Sequence, residues 1–165
     1  MKVVFVKASE ITPKNLQKIS LDWTEDFVNS KICEDLKILN NDYPGILEWY
    51  TSKVKPEIEK GNKSREIILA FADKELAGIA ILKKDNYEKK ICTIRIREIY
   101  RKKGIGRRLF EEAFEWLETR LPLITISETN QRAFLKIISD YEFKETDVII
   151  GKYVKNKKEY IYNGN

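Results

Sequence analysis

The period of the hydrophobic pattern changes after Gly61, and that change dictates the class of fold. Upstream, apolar residues recur at helical spacing. Downstream, Glu66 to Ala72 and Leu76 to Leu82 are strand-sized runs joined by Asp73-Lys74-Glu75, the pattern of a tight hairpin. Ile91 to Ile99 then alternates, with Cys92, Ile94 and Ile96 on one side and Thr93, Arg95 and Arg97 on the other. The helical period returns after Tyr100, where Leu109, Phe110, Ala113, Phe114 and Leu117 make one apolar face.

The flanks complete the order. Val3 to Val6 predicts a first strand. Thr12-Pro13 opens a helix of about four turns carrying Leu16, Ile19, Trp23 and Phe27. Lys31 to Asn41 predicts a shorter helix, broken by Tyr43-Pro44-Gly45. Ile46, Leu47, Tyr50 and Val54 start a third, which Pro56 restarts or kinks and Gly61 ends. Past Leu121-Pro122 come a strand over Leu123 to Ser127, a helix over Asn130 to Ile138, and closing strands over Phe143 to Val154 and Tyr160 to Tyr162. Without a repeat or linker, the 165 residues read as a single domain, 1–165, with one mixed sheet flanked by helices, an α/β or α+β fold. Trp23, Trp49 and Trp116 read as core, Lys83-Lys84 and Lys89-Lys90 as solvated, and Tyr160 to Tyr162 as a last strand whose edge can pair in a homodimer.

The chain contains no histidine. Ser-His and Cys-His nucleophiles and His-ligated zinc are therefore excluded, and proton transfer falls to a carboxylate, Tyr, Lys, Cys or water. Cys33 and Cys92 are too far apart in sequence for a metal knuckle and read as free thiols in a reducing compartment. No apolar run has the length of a signal peptide or membrane span, so a cytoplasmic protein is expected. The +5 formal charge biases the chain toward anionic partners.

That charge concentrates at Arg101-x-x-Gly104-x-Gly106, between a predicted strand and a predicted helix. Glycines there let the backbone turn sharply and approach a ligand, and the helix aims unpaired N–H groups and its positive dipole end into the gap. Arg101, Lys102, Lys103, Arg107 and Arg108 add positive charge. The same pattern also describes a plain glycine turn with solvated basic residues. A dinucleotide fingerprint fails because Leu109 stands at the third glycine position, and no Gly-Lys-Ser/Thr phosphate loop exists.

Ile94-Arg95-Ile96, Tyr100 and Arg101-x-x-Gly104-x-Gly106, followed by Ile126 to Ala133 with its Asn130-x-x-Ala133 helix start, resemble the GNAT N-acetyltransferase superfamily over roughly residues 60 to 155. The resemblance implies a mostly antiparallel sheet with a splayed central parallel pair and an acetyl-CoA cosubstrate, with no metal. It implies that the backbone of Ile94, Arg95 and Ile96 pairs with the pantetheine arm. The N–H groups of Lys102, Lys103, Gly104, Ile105, Gly106 and Arg107, with Arg101, would cradle the pyrophosphate. Asn130 would bond the cofactor at the splay, and an N–H near Ile96 would polarise the acyl carbonyl.

Where many relatives carry a tyrosine as general acid, this chain has Lys136-Ile137-Ile138-Ser139, and Tyr141-Glu142-Phe143 replaces the usual Gly-Phe. Tyr141 and Tyr153 read as packing. The general base is assigned by location to Glu98 or Glu128, each at a strand end, with a water chain as the alternative to both. The implied partner is an amine acceptor of open identity; nucleic acid enters only as a carrier of that acceptor. The competing reading is a non-catalytic acyl-CoA-binding regulatory module.

Overall fold

The computed structural model describes residues 1–19 and 23–164. Its sheet has seven strands in the order β1-β2-β3-β4-β5-β7-β6: β1 (Val3–Lys7), β2 (Arg65–Ala72), β3 (Glu75–Lys84), β4 (Lys89–Ile96), β5 (Leu123–Ser127), β6 (Glu145–Ile150) and β7 (Lys158–Tyr162). Every neighbouring pair is antiparallel except β4 with β5. The fold is thus the mixed α/β sheet that the element order predicts, with the central parallel pair that the resemblance implies.

Two layers of helix cover the sheet. α5 (Ile105–Leu117) and α6 (Glu128–Asp140) lie on one face. Leu109, Phe110, Ala113, Phe114 and Leu117 are buried there, each stabilising the fold by about 1.5–3 kcal/mol where a large side chain is enclosed. Gly78 on β3 lets α5 come close: a Cβ at that position would lie 2.8 Å from the side chains of Ile96 and Leu109. α1 (Pro13–Ile19), α2 (Glu25–Ile38), α3 (Ile46–Trp49) and α4 (Lys55–Glu59) cover the other face, over Ile67, Leu69, Phe71, Ile79 and Ile81.

Four expectations are corrected. The first helix does not run on to Phe27: α1 ends at Ile19, residues 20–22 lie outside the described set, and Thr24 starts α2 by accepting the Phe27 N–H. Between α3 and α4, Tyr50–Val54 is a π-helical turn, with the Lys55 N–H reaching Tyr50 O. Pro56 has no N–H for the carbonyl four residues back and its ring crowds that carbonyl, so the turn before it widens. The alternation of β4 breaks at Cys92, which packs against the α1–α4 side while Ile94 and Ile96 pack against the α5 side. Finally, β7 is interior, and the sheet's edges are β1 and β6.

Candidate active site

The parallel pair is held by only two matched positions, Lys90 with Leu123 and Ile91 with Ile124. Just beyond, the β3 ladder skips Cys92: Leu82 faces Ile91 and Ile81 faces Thr93. The extra residue bends β4 away from β5. A gap opens between Ile94 of β4 and Ile126 of β5, walled by Asn130 and Phe134 of α6 and by Leu39 and Tyr43 from the opposite helical layer. Residues of both helical layers thus line one small space between the strands, of about 30 Å³.

The β4 edge of this gap turns main-chain groups away from β3. The Arg97 N–H bonds Ala77 O on β3 at 2.9 Å, so strand alternation turns the N–H and C=O groups of Ile94 and Ile96 toward the gap. Arg101 Nε donates to Ile96 O at 3.0 Å, which ties the glycine turn to the strand end.

That turn is shaped by two left-handed residues, Lys102 (φ 60) and Gly104 (φ 82). A Cβ on Gly104 would meet nothing within 4 Å, so its requirement is conformational. As the N-cap of α5, Gly104 supplies no side-chain acceptor. The N–H groups of Gly104, Ile105, Gly106 and Arg107 find no main-chain acceptor, and the first helical bond runs from Arg108 N to Gly104 O. Converging donors at a positive dipole end suit an anion. Gly106 differs from Gly104: its Cβ would make ordinary contacts, 3.5 Å from Ile96 and 3.8 Å from Ile137. Lys102 and Lys103 are exposed beside the turn. Arg107 pairs with Asp140, and Arg108 stacks 4.2 Å from the Phe5 ring.

On the α1–α4 face lies a cleft of about 280 Å³. It shares Tyr43, Cys92 and Thr93 with the gap, so those residues stand between the two spaces. Behind Tyr43 sits Glu159 on β7, opposite Ser127 of β5 and only 3% exposed. The Tyr43 hydroxyl donates to Glu159 Oε1 at 3.0 Å. Burial holds the Glu159 carboxyl above the usual carboxylate range; hydrogen bonds from Tyr43 and Thr125 pull the other way, and Asp42 pushes it further up. Burial, then the Glu159 charge, push the Tyr43 phenol well above its usual range, so it stays protonated. Glu159 lines neither space, whereas Tyr43 lines both. The pair can therefore carry a proton from cavity to carboxylate. Burial also pushes the Cys92 thiol up, against the Arg65 guanidinium 3.5 Å from Sγ, and this keeps it from acting as a thiolate.

The sequence-assigned residues are not all at the gap. Glu98 is exposed in the 3₁₀ turn after β4. Glu128 is exposed at the start of α6, where its Oε1 accepts the Lys158 N–H at 2.9 Å. Arg95 turns to the other face and pairs with buried Asp35, and Arg97 bonds Glu75. Asn130 lines the gap, but its Nδ2 already donates to Ser127 Oγ at 3.1 Å and Asp42 Oδ2 at 3.3 Å. Tyr141 packs among Phe110, Phe114 and Phe143 and donates to Glu111, while Tyr153 meets the Tyr43 ring edge-on and lines the cleft. Lys83 and Lys90 line the cleft too, and Lys84 covers Trp116. Tyr43 and Glu159 went unassigned because Tyr43-Pro44-Gly45 read as a helix breaker. The available signal was an acid inside the closing strand, at Glu159-Tyr160-Ile161-Tyr162. Among the described residues no three Cys, Asp or Glu side chains gather as metal ligands.

Comparison with known proteins bears on this arrangement. The sequence profile of the Acetyltransferase (GNAT) family matches residues 32–136. Among solved structures, a candidate acetyltransferase of the GNAT family from Desulfovibrio desulfuricans superposes with a TM-score of 0.63 at 16% identity, covering 98% of this chain and 97% of the other. A Bacillus subtilis acetyltransferase in complex with CoA superposes at 0.53 with 18% identity, covering 98% and 97%. A candidate streptothricin acetyltransferase from Bacillus anthracis, in complex with acetyl coenzyme A, superposes at 0.52 with 20% identity, covering 60% and 61%. No curated protein sequence matches the chain.

Proposed function

Because this chain belongs to the acetyltransferase (GNAT) family, we propose that it moves an acetyl group from acetyl-CoA directly to a primary amine, with residues 1–165 acting as one domain. The observation that carries the reading is the gap between β4 and β5. It places an open strand edge and an uncapped helix end on one side, and a proton-accepting pair on the other.

The residues present fit the cosubstrate. The N–H groups of Gly104 to Arg107, with Lys102 and Lys103 beside them, suit its phosphates. The main-chain N–H and C=O of Ile94 suit an amide of its pantetheine arm, as an added partial strand. Bound acetyl-CoA supplies an activated acyl carbon and a thiolate leaving group.

The protein's own part is orientation and proton handling. The Ile96 N–H, turned to the gap, polarises the acyl carbonyl oxygen. The cleft holds the amine against Tyr43 and Thr93. As the new N–C bond forms and the C–S bond breaks, the amine proton passes to the Tyr43 oxygen while the Tyr43 hydroxyl proton moves to Glu159. A carboxyl held above its usual range is closer in basicity to neutral pH and suits that task. Glu159 stands in this role in place of Glu98 and Glu128. Both are exposed, and Glu128 is engaged with β7.

Amine-dependent release of CoA thiol from acetyl-CoA tests the reading. Release with at least one class of primary amine supports it. Tight acetyl-CoA binding with no release from any amine leaves the chain as an acyl-CoA-binding module.

A further inference from the structure

On the sheet face that forms the cleft, three strands place cations side by side. Arg65 of β2 is directly opposite Lys83 of β3, and Lys83 is directly opposite Lys90 of β4. All three line the cleft, and Lys53 on the π turn faces them from above. Like charges in direct cross-strand register repel, and a sheet without compensation is weakened by them.

The compensation inside the protein is partial. Arg65 Nε bonds Glu57 at 3.1 Å, and Lys83 bonds Glu88 at 3.1 Å and lies 3.6 Å from Asp85. Lys90 and Lys53 form no salt bridge among the described residues. Of the charged residues lining the cleft, four are cations and one, Glu88, is an anion. The cleft is across the sheet from α5, so this charge is separate from the phosphate-suited turn. Its far wall is aromatic, with Trp49 under the Arg65 guanidinium at 5.6 Å and Tyr153 edge-on to Tyr43.

We propose that the cleft is an anion subsite for the acetyl acceptor: the acceptor is a small amine that also carries a carboxylate or phosphate, bound by Lys90, Lys53 and Lys83. The amine then points to Tyr43 and Thr93, which line both cleft and gap, and the anionic end rests on the cation row. A space of about 280 Å³ is at the lower end of small-molecule pockets and matches an amino-acid-sized acceptor. The assignment of the cleft to the acceptor rests on the acetyl-transfer reading; the anion subsite itself does not.

Two measurements separate those claims. In the first, thiol release is compared over ethanolamine, phosphoethanolamine, γ-aminobutyrate, butylamine and spermidine at fixed acetyl-CoA. The expected result is a kcat/KM at least tenfold higher for an anionic amine than for its neutral counterpart. Phosphoethanolamine leading indicates phosphate, and γ-aminobutyrate leading indicates carboxylate. In Lys90→Met or Lys53→Met that preference falls toward unity; acetyl-CoA affinity, read by calorimetry, reports that each variant is folded. Preference for spermidine, or an anionic preference unmoved by both variants, overturns the proposal. In the second, calorimetry of phosphoethanolamine and γ-aminobutyrate is run on the CoA-loaded protein without turnover. Binding weakened about tenfold by Lys90→Met supports the subsite even if no amine is acetylated. Absence of binding by both probes overturns it, even if another amine is acetylated.

Discussion

The Tyr43 hydroxyl donates to Glu159 Oε1 at 3.0 Å, joining residues 116 apart in sequence beside the end of β5. If this pair takes up the amine proton, Tyr43→Phe removes the relay and Glu159→Gln removes the acceptor. Each is expected to lower kcat by about 10²-fold or more, with little change in the KM for acetyl-CoA. The two losses should not multiply in the double variant, because one path is broken in either case. Steady-state kinetics on the three variants provide the check.

The buried carboxyl of Glu159 also makes stability depend on pH. Its folded-state pKa is raised by burial, so the folded protein keeps this proton to higher pH than the unfolded chain does. Its contribution is fully present below the unfolded value of about 4.3 and is lost as pH rises through the raised folded value. Asp35, also raised by burial, acts in the same sense. Thermal melts of Glu159→Gln should therefore fall less between mildly acidic and neutral pH than those of the parent. At neutral pH the variant should melt no lower than the parent, even though it turns over more slowly.

Gly104 and Gly106 should respond differently to a methyl group. Gly104→Ala forces a Cβ residue to φ 82 and should cost about 1–2 kcal/mol. Gly106→Ala adds only ordinary contacts to Ile96 and Ile137, so denaturant midpoints should barely move. Gly104→Glu brings a carboxylate to the unpaired N–H groups. Calorimetry should show acetyl-CoA binding weakened at least tenfold.

Arg95 should prove a residue of the fold and not of the cosubstrate site. Its guanidinium pairs with Asp35, which is 3% exposed and also faces Arg97. Asp35→Ala leaves a mostly buried cation without its partner and should lower stability by about 3–5 kcal/mol. The double variant Asp35→Leu with Arg95→Met removes both charges and should recover much of that loss. Urea unfolding measures both. Acetyl-CoA affinity of Arg95→Met should stay near that of the parent, since this side chain is on the face away from α5.

Local patterns made the centre of the fold legible. The hairpin of β2 and β3, the glycine turn into α5 and the apolar face of that helix all follow from residues within a few positions of each other. The sheet order of β7 and β6 did not, because Tyr160-Ile161-Tyr162 carries no mark that distinguishes an interior strand from an edge. The bulge at Cys92 was hidden for a similar reason: alternation alone cannot show that the partner strand skips a residue. The site divides along the same line. The phosphate-suited turn is a contiguous motif, whereas Tyr43 meets Glu159 and Arg65 aligns with Lys90 only after the sheet has formed. That Lys83 and Lys90 share a cleft with Lys53 was not legible either, because the π turn that carries Lys53 was invisible before folding.

The most direct test of the whole account is mass-spectrometric analysis of the protein incubated with acetyl-CoA and a mixture of primary amines. The account predicts an N-acetylated amine formed in equal amount with free CoA, and a sharp loss of both in Gly104→Glu. Tight acetyl-CoA binding with no acetylated amine, or with hydrolysis to acetate alone, would contradict it.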